Sequence, residues 1–453
     1  MTTGMFAGTF ARGGAAAEVS GAAWLAAMLD VEAALAAAQA GIGLVPAEAA
    51  AAVADACVPG RHDLAAIAGR AGPAGNPAIP MVAALRALVP PEFRKHVHLG
   101  ATSQDVNDTA AMLVARRALG PILADLGGVA AACADLAGEH RGSVMAGRTV
   151  LQHAVPITFG LKAAGWLSAL DRCRAGLAGL RLPAQYGGAA GTLSALGGRG
   201  HEVIAGFAAA LDLAEPALPW HTDRTPVAEL ACALGTATGA LAKIATDVKL
   251  LAQTEVAELA EPAAPGRGTS SAMPHKRNPV GAMSALACAQ RVPPLVASLL
   301  DGMAQEHERA AGSWQAEWET LSDLLRLTGS AAAWLREVLE GLRVDTQRMR
   351  ANLDLTDGLL MAEHVVARLG GGPDARRTVD AACATAVEQD RPLREVLLAD
   401  PGVRLSPEEI DETLDPALYL GSAQVFIDRA LTAHHDAERA LAAGPALHHY
   451  GAP

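Results

Sequence analysis

Aromatic residues make up only 3% of the 453-residue chain and charged residues only 19%, whereas 51% are hydrophobic. Val/Ile alternation of the strand type is nearly absent, which excludes a sheet-rich fold. The formal net charge of -12 argues against nucleic acid, whose phosphates need a basic face. It does not exclude an anionic substrate, because local charges set the field of a site. The six cysteines, Cys57, Cys133, Cys173, Cys232, Cys288 and Cys383, are widely spaced and include no Cys-x-x-Cys pair. Neither a zinc cluster nor a disulfide framework is indicated, and they read as small core residues in a reducing compartment. No basic stretch precedes a continuous apolar one at the N-terminus, and no segment approaches 18 apolar residues without polar interruption. A cytoplasmic protein with no membrane segment is expected.

Alanine, leucine and glycine fill the space that the missing types leave, and the chain reads as all-α. Leu230, Leu234, Leu241, Ile244, Val248 and Leu251 fall at spacings of three, four and seven, one stripe of a long helix. Starting after Pro226 and running to about Glu258, that helix would be roughly 45–50 Å long at ~1.5 Å per residue, which suits a bundle. Similar patterns occupy about 107–140, 157–181, 280–310 and 313–343. Glycine- and proline-rich breaks suggest an N-terminal helical domain at 1–106, a central long-helix bundle at 107–350 and a C-terminal helical domain at 351–453. Apolar helices this long and this poorly charged suit burial against copies of the same chain.

Residues 268–279 read Gly-Thr-Ser-Ser-Ala-Met-Pro-His-Lys-Arg-Asn-Pro. Gly268, Pro274 and Pro279 keep this stretch out of a regular helix, so backbone N–H groups stay free to face an anion. A serine acts as acid or base only if its high pKa is pulled down, and Lys276 with those N–H donors could do so.

This run resembles the Gly-Ser-x-x-Met-x-x-Lys-x-Asn signature of the fumarase/aspartase superfamily, with Thr269 where the family has glycine. His98-Leu99-Gly100-Ala101-Thr102-Ser103-Gln104-Asp105 is similar to the first signature region, and Gly147-Arg148-Thr149 through Gln152-His153-Ala154-Val155-Pro156 to the second. Pro219-Trp220-His221-Thr222, Gly187–Thr192 and Gln305–Gly312 are most similar to the superfamily's bacterial cycloisomerases. The likeness runs from about residue 20 to about residue 365.

The resemblance implies an elongated three-domain lyase fold, its central helices forming the core of a homotetramer. It implies proton transfer next to a carboxylate, with departure or addition of a group at the neighbouring carbon, on a small di- or tricarboxylate and with no cofactor or metal. Ser270 falls at the catalytic serine position, with Ser271 as its neighbour, and Lys276 and Asn278 at substrate-carboxylate positions. Thr102, Ser103 and Gln104 lie just before or at a helix start, where side chains and N–H groups can meet an anion or simply cap the helix. His98, Thr149, Gln152 and His221 join the candidate binding set, and His153 is either catalytic or a binder. Arg309 is implied as a carboxylate clamp, its planar fork suiting bidentate pairing. Two departures stand out. Val150 occupies the place where many members carry a catalytic histidine, and Gln315 the place where histidine is expected in the cycloisomerases.

Overall fold

The structure is a computed structural model that describes residues 4–264, 266–269 and 272–442. Ser270 and Ser271 therefore lie outside the described residues. Helices dominate, as the composition requires. Every residue of the Leu230-to-Leu251 stripe is buried, with none more than 5% exposed. Ala231, Ala237 and Ala245, with no exposed surface, fill the turns between them. Small side chains here let neighbouring backbones come close without leaving voids.

Contacts group the chain into two compact units, each of three segments: Met1–Leu126, Cys173–Ala242 and Ser284–Leu335, then Gly127–Arg172, Lys243–Met283 and Arg336–Pro453. The five cuts all fall inside helices: Ser103–Glu139, Phe159–Ala178, Thr225–Leu251, Val280–Gln290 and Ser313–Glu340. This is a different division from three consecutive domains. Glycine and proline mark where helices end, whereas contacts join pieces far apart in sequence.

In the first unit, Ser20 caps Gly21–Gly41 by accepting a hydrogen bond from the Ala23 N–H at 3.2 Å. Leu25, Met28, Leu29 and Leu35 of that helix enter the core. Thr238 and Thr328 tie Thr225–Leu251 to Ser313–Glu340 through their hydroxyls at 3.0 Å. In the second unit, Val365, Val379, Leu393, Leu397 and Ile410, drawn from four helices, form a separate apolar cluster.

Several expected boundaries shift. The helix from Thr225 stops at Leu251, not near Glu258, because Ala257 turns at φ 51 and Leu259–Ala260 pairs as a strand with Arg343–Val344. The helix expected over 280–310 is two, Val280–Gln290 and Val292–Asp301, since Pro293 and Pro294 lack the N–H that continuation needs. Cys232 is exposed, unlike the mostly buried cysteines of the core reading.

Four helical stretches, Gly21–Gly41, Ser103–Glu139, Thr225–Leu251 and Val280–Asp301, are long and apolar enough to cross a membrane by length and composition, contrary to the expectation. Their hydropathy comes largely from alanine, and they carry buried polar groups such as Glu32, Gln39, Asp105 and Asp108. A third to a half of each apolar window is buried within the chain itself.

The second signature region is a β-hairpin, Val144–Thr149 with Gln152–Thr158, which the helical reading of the chain does not anticipate. Its two turn residues, Val150 and Leu151, both have positive φ, 51° and 66°, the type I′ pattern that glycine or asparagine usually supplies. A β-branched residue there is strained. Gly147 sits where the pairing register shifts, and a Cβ on it would lie 2.5 Å from the Val155 carbonyl oxygen.

Candidate active site

The candidate residues fall into two groups, one in each unit. In the first unit the sequence Thr102–Asp108 opens Ser103–Glu139, and Asp105 organises what surrounds it. Its carboxylate accepts hydrogen bonds from the N–H groups of Thr102, Gly187 and Gly188, each at 2.9 Å, and from His221 Nε2 at 2.7 Å. Four donors saturate it. Glycine is required in the facing loop: a Cβ on Gly187 would lie 2.8 Å from the His221 ring, and Gly188 has φ 68 against the Gly100 carbonyl. His221, only 4% exposed, thus serves first as a strut under this loop.

Gln104, with no exposed surface, donates from Nε2 to the His221 carbonyl at 2.8 Å and to Asp108 at 3.1 Å. Its Oε1 accepts from Arg309 Nε at 2.9 Å. Arg309 also donates from Nη2 to the Ala189 carbonyl at 3.1 Å, which joins the Gln305–Gly312 segment to the glycine loop. Gln104, His221 and Arg309 are therefore brought together. Beneath them Arg224 pairs with both Asp108 and Glu317, all three no more than 5% exposed, and Trp314 Nε1 donates to Asp108 at 2.9 Å. Burial raises the Glu317 pKa against the pull of Arg224. The sequence reading missed this ion network, because its members lie about a hundred residues apart.

His98 stands apart from that cluster, at φ 60, with Nδ1 2.6 Å from Glu32. Burial alone would lower its pKa, but the hydrogen bond to Glu32 and its charge outweigh burial, and the net direction is upward. The stabilisation from a protonated His98 facing Glu32 is then present below the ordinary histidine range and is lost as pH rises through the raised value. Proton NMR should show this imidazole titrating above the ordinary histidine range, and Glu32→Gln should move it down. An unchanged titration in that variant would remove Glu32 as the cause.

The second unit carries Thr149, Gln152 and His153 on the hairpin. Thr149 faces Gln152 and Arg148 faces His153 in the strand register. Burial first, then Arg148, lowers the His153 pKa, and its Nδ1 is buried with no hydrogen-bond partner among the described residues. A neutral imidazole can accept a proton or a hydrogen bond but is a poor acid. Arg148 itself, quoted within Gly-Arg-Thr yet given no role, makes a bidentate pair with Glu258 at 2.6 and 3.0 Å. Asn352 Nδ2 adds a third bond to that carboxylate at 2.8 Å. Glu258 has no exposed surface, so Glu258→Ala should cost about 3–5 kcal/mol by stranding Arg148. Denaturant unfolding would measure it; a change below about 1 kcal/mol would show the pair to be dispensable.

Lys276 and Asn278 lie in the 268–279 loop as expected. The Asn278 N–H donates to the Gly268 carbonyl at 2.9 Å, and Thr269 bridges to Arg277, so the two ends of the loop close on each other. The Lys276 side chain is exposed. Its neighbours Ser270 and Ser271 lie outside the described residues.

Two features lie elsewhere. A mostly apolar cavity of about 880 Å³ in the first unit is lined by residues including Phe6, Phe10, Trp24 and Met28, and contains none of the candidates. Asp171, His434 and Glu438 come within metal-ligand reach of one another, which their spacing in sequence could not reveal. His434 Nδ1 there lies 3.0 and 3.1 Å from the two Asp171 carboxylate oxygens, the geometry of a histidine–carboxylate hydrogen bond.

A helical scaffold, a strained hairpin, a glycine-flanked serine loop and an arginine held by a buried network describe a lyase of the superfamily that the motifs resemble. The family described as lyase matches residues 15–293, and the family described as adenylosuccinate lyase C-terminus matches residues 358–430. The chain belongs to the fumarase/aspartase superfamily. Among its relatives, the 3-carboxy-cis,cis-muconate cycloisomerase of Bradyrhizobium diazoefficiens is 49% identical over 415 residues, 89% of this chain and 92% of that protein. The nitrosuccinate lyase of Streptomyces davaonensis is 47% identical over 433 residues, 92% of this chain and 91% of that protein. The crystal structure of 3-carboxy-cis,cis-muconate lactonizing enzyme from Pseudomonas putida superimposes with a TM-score of 0.89 at 44% identity, covering 96% of this chain and 99% of that one.

Proposed function

We propose that the protein interconverts 3-carboxy-cis,cis-muconate and 4-carboxymuconolactone, without a cofactor, in the catabolism of aromatic compounds. What carries this reading is the likeness to cycloisomerases along about nine-tenths of the chain, together with a lyase-family match over residues 15–293 that includes all three signature segments. In the lactone-forming direction one substrate carboxylate adds across the double bond while a proton is delivered to the neighbouring carbon. Ser270 transfers that proton, with Ser271 as the alternative donor. Lys276, Asn278, Thr102, Ser103 and the loop N–H groups hold the negative charge that builds on the remaining carboxylate. Arg309 clamps a carboxylate, and His98, Thr149, Gln152, His153 and His221 are further candidates for binding the substrate. Incubating the purified protein with the carboxymuconate and following ultraviolet absorbance tests the activity directly.

A second reading, elimination of nitrite from nitrosuccinate, is favoured by the 47% identical lyase and by Gln315, which departs from the cycloisomerase pattern. In this structure Gln315 Oε1 accepts from the Gly312 N–H at 3.0 Å, so it holds the start of Ser313–Glu340. The same absorbance assay run with nitrosuccinate separates the two.

The proposal includes a cytoplasmic homotetramer in which copies complete one another's sites. Long helices rich in alanine and poor in charge support it. Light scattering at micromolar concentration should give four chains per particle. A fully active monomer would overturn both the assembly and the shared site.

A further inference from the structure

We infer that Gln104 is a positioning residue and not a substrate ligand: with the buried Asp108–Arg224–Glu317 network beneath it, it aims the Arg309 guanidinium. The inference rests on the reading of Arg309 as a carboxylate clamp. Gln104 follows Thr102 and Ser103 in the first signature region and would by position be grouped with them. Its surroundings say otherwise.

Gln104 has no exposed surface, and each end of its amide is committed. Nε2 faces two acceptors, Asp108 Oδ2 and the His221 carbonyl, while Oε1 faces one donor, Arg309 Nε. Only one amide orientation satisfies this set. Flipped, the amide oxygen would meet two oxygens and the NH2 would meet the guanidinium. Asp108 thus fixes which end of Gln104 Arg309 sees.

Asp108 cannot swing away. Its Oδ2 accepts from Arg224 Nη1 at 2.8 Å as well as from Gln104, and its Oδ1 accepts from Arg224 Nη2 at 3.1 Å and Trp314 Nε1 at 2.9 Å. Arg224 is held on its other side by Glu317, at 3.0 and 2.5 Å. Glu317 in turn accepts from Gln305 Nε2 at 3.0 Å. The segment that carries Arg309 is therefore pinned to one buried network at two points, through Gln305 and through Gln104. Between the pins His307 adopts φ 49, a conformation a non-glycine residue holds only where its surroundings impose it.

With Nε on Gln104 and Nη2 on the Gly188 and Ala189 carbonyls, the guanidinium is fixed in plane. Its Nη1 makes no hydrogen bond to any described residue and is the edge left for a carboxylate. Pre-orienting that edge removes the rotamer entropy that binding would otherwise cost.

A double-mutant cycle tests this, read as kcat and KM on the carboxymuconate, with circular dichroism to verify folding. Gln104→Met keeps the volume and leaves Asp108, Arg224, Glu317 and Trp314 paired. It should raise KM about tenfold and change kcat less than about threefold, since lost orientation weakens binding of ground and transition states alike. Arg309→Met should raise KM at least as much. The combined variant should match Arg309→Met alone, because Gln104 acts only through the arginine. Gln305→Met, which cuts the other pin, should show the same dependence on Arg309. Multiplying effects in the combined variant would make Gln104 a direct ligand and overturn the inference. So would a normal KM in Gln104→Met when Arg309→Met is impaired. If Arg309→Met itself binds substrate normally, the clamp reading fails, and the inference falls with it.

Discussion

Replacing Ser270 by alanine is expected to abolish turnover while leaving the fold intact. The sequence puts Ser270 two residues after Gly268 and six before Lys276, and the proposed role of its hydroxyl is to move a proton. Removing an acid–base group costs on the order of 10²-fold or more in kcat. Because a group that acts only in proton transfer does not hold the ground-state substrate, the loss should appear in kcat with KM little changed. On either side of the two serines, the Asn278 N–H donates to the Gly268 carbonyl and Thr269 bridges to Arg277. Near wild-type rates in Ser270→Ala, with Ser271→Ala inactive, would move the catalytic role by one position. Normal rates in both would remove the serine mechanism altogether.

Much of the scaffold was legible because its signal is local. The stripe Leu230, Leu234, Leu241, Ile244, Val248 and Leu251 repeats at helical spacing, and each member is buried. The prolines at 293 and 294 carry a local signal too, but the single helix expected over 280–310 passed over it, and the chain breaks into two helices there. The hairpin was not legible, since Val144–Thr149 shows no clean alternation and its turn uses Val150 and Leu151 in place of the usual glycine or asparagine. The membrane-like hydropathy of four helical stretches escaped for a different reason. Alanine interrupted by single polar residues breaks a run of apolar letters but barely lowers the average.

For the site, motif register brought out the loop residues and Arg309, but not what holds them. Arg224 reaches Asp108 across 116 positions and Glu317 across 93, and no spacing rule covers such distances. The same holds for Arg148 with Glu258, 110 positions apart. Sequence motifs name groups that chemistry needs. The buried charges that orient those groups come from whichever helices the fold lays alongside, and only the folded chain reveals them.

Substrate choice should follow from Val150. At the hairpin turn where many superfamily members carry a catalytic histidine, this chain has an apolar side chain that is 95% exposed and held at φ 51. It can neither give nor take a proton. An amine or alkoxide leaving group is a strong base and needs an acid at its departure, whereas a carboxylate is already weakly basic and needs only a cation such as Arg309 beside it. Burial and Arg148 lower the pKa of His153, three residues on, so that less of it is protonated to act as an acid than of an ordinary histidine. The protein should therefore convert the carboxymuconate and its lactone, and should turn over adenylosuccinate and malate at least about 10²-fold less efficiently in kcat/KM. Nitrite also leaves without protonation, so nitrosuccinate belongs in the same assay. Turnover of nitrosuccinate with no reaction on the carboxymuconate would move the assignment to the second reading and keep the argument from Val150. Efficient release of fumarate from adenylosuccinate, with no absorbance change on the carboxymuconate, would sink both, because it would require an acid that this turn does not contain.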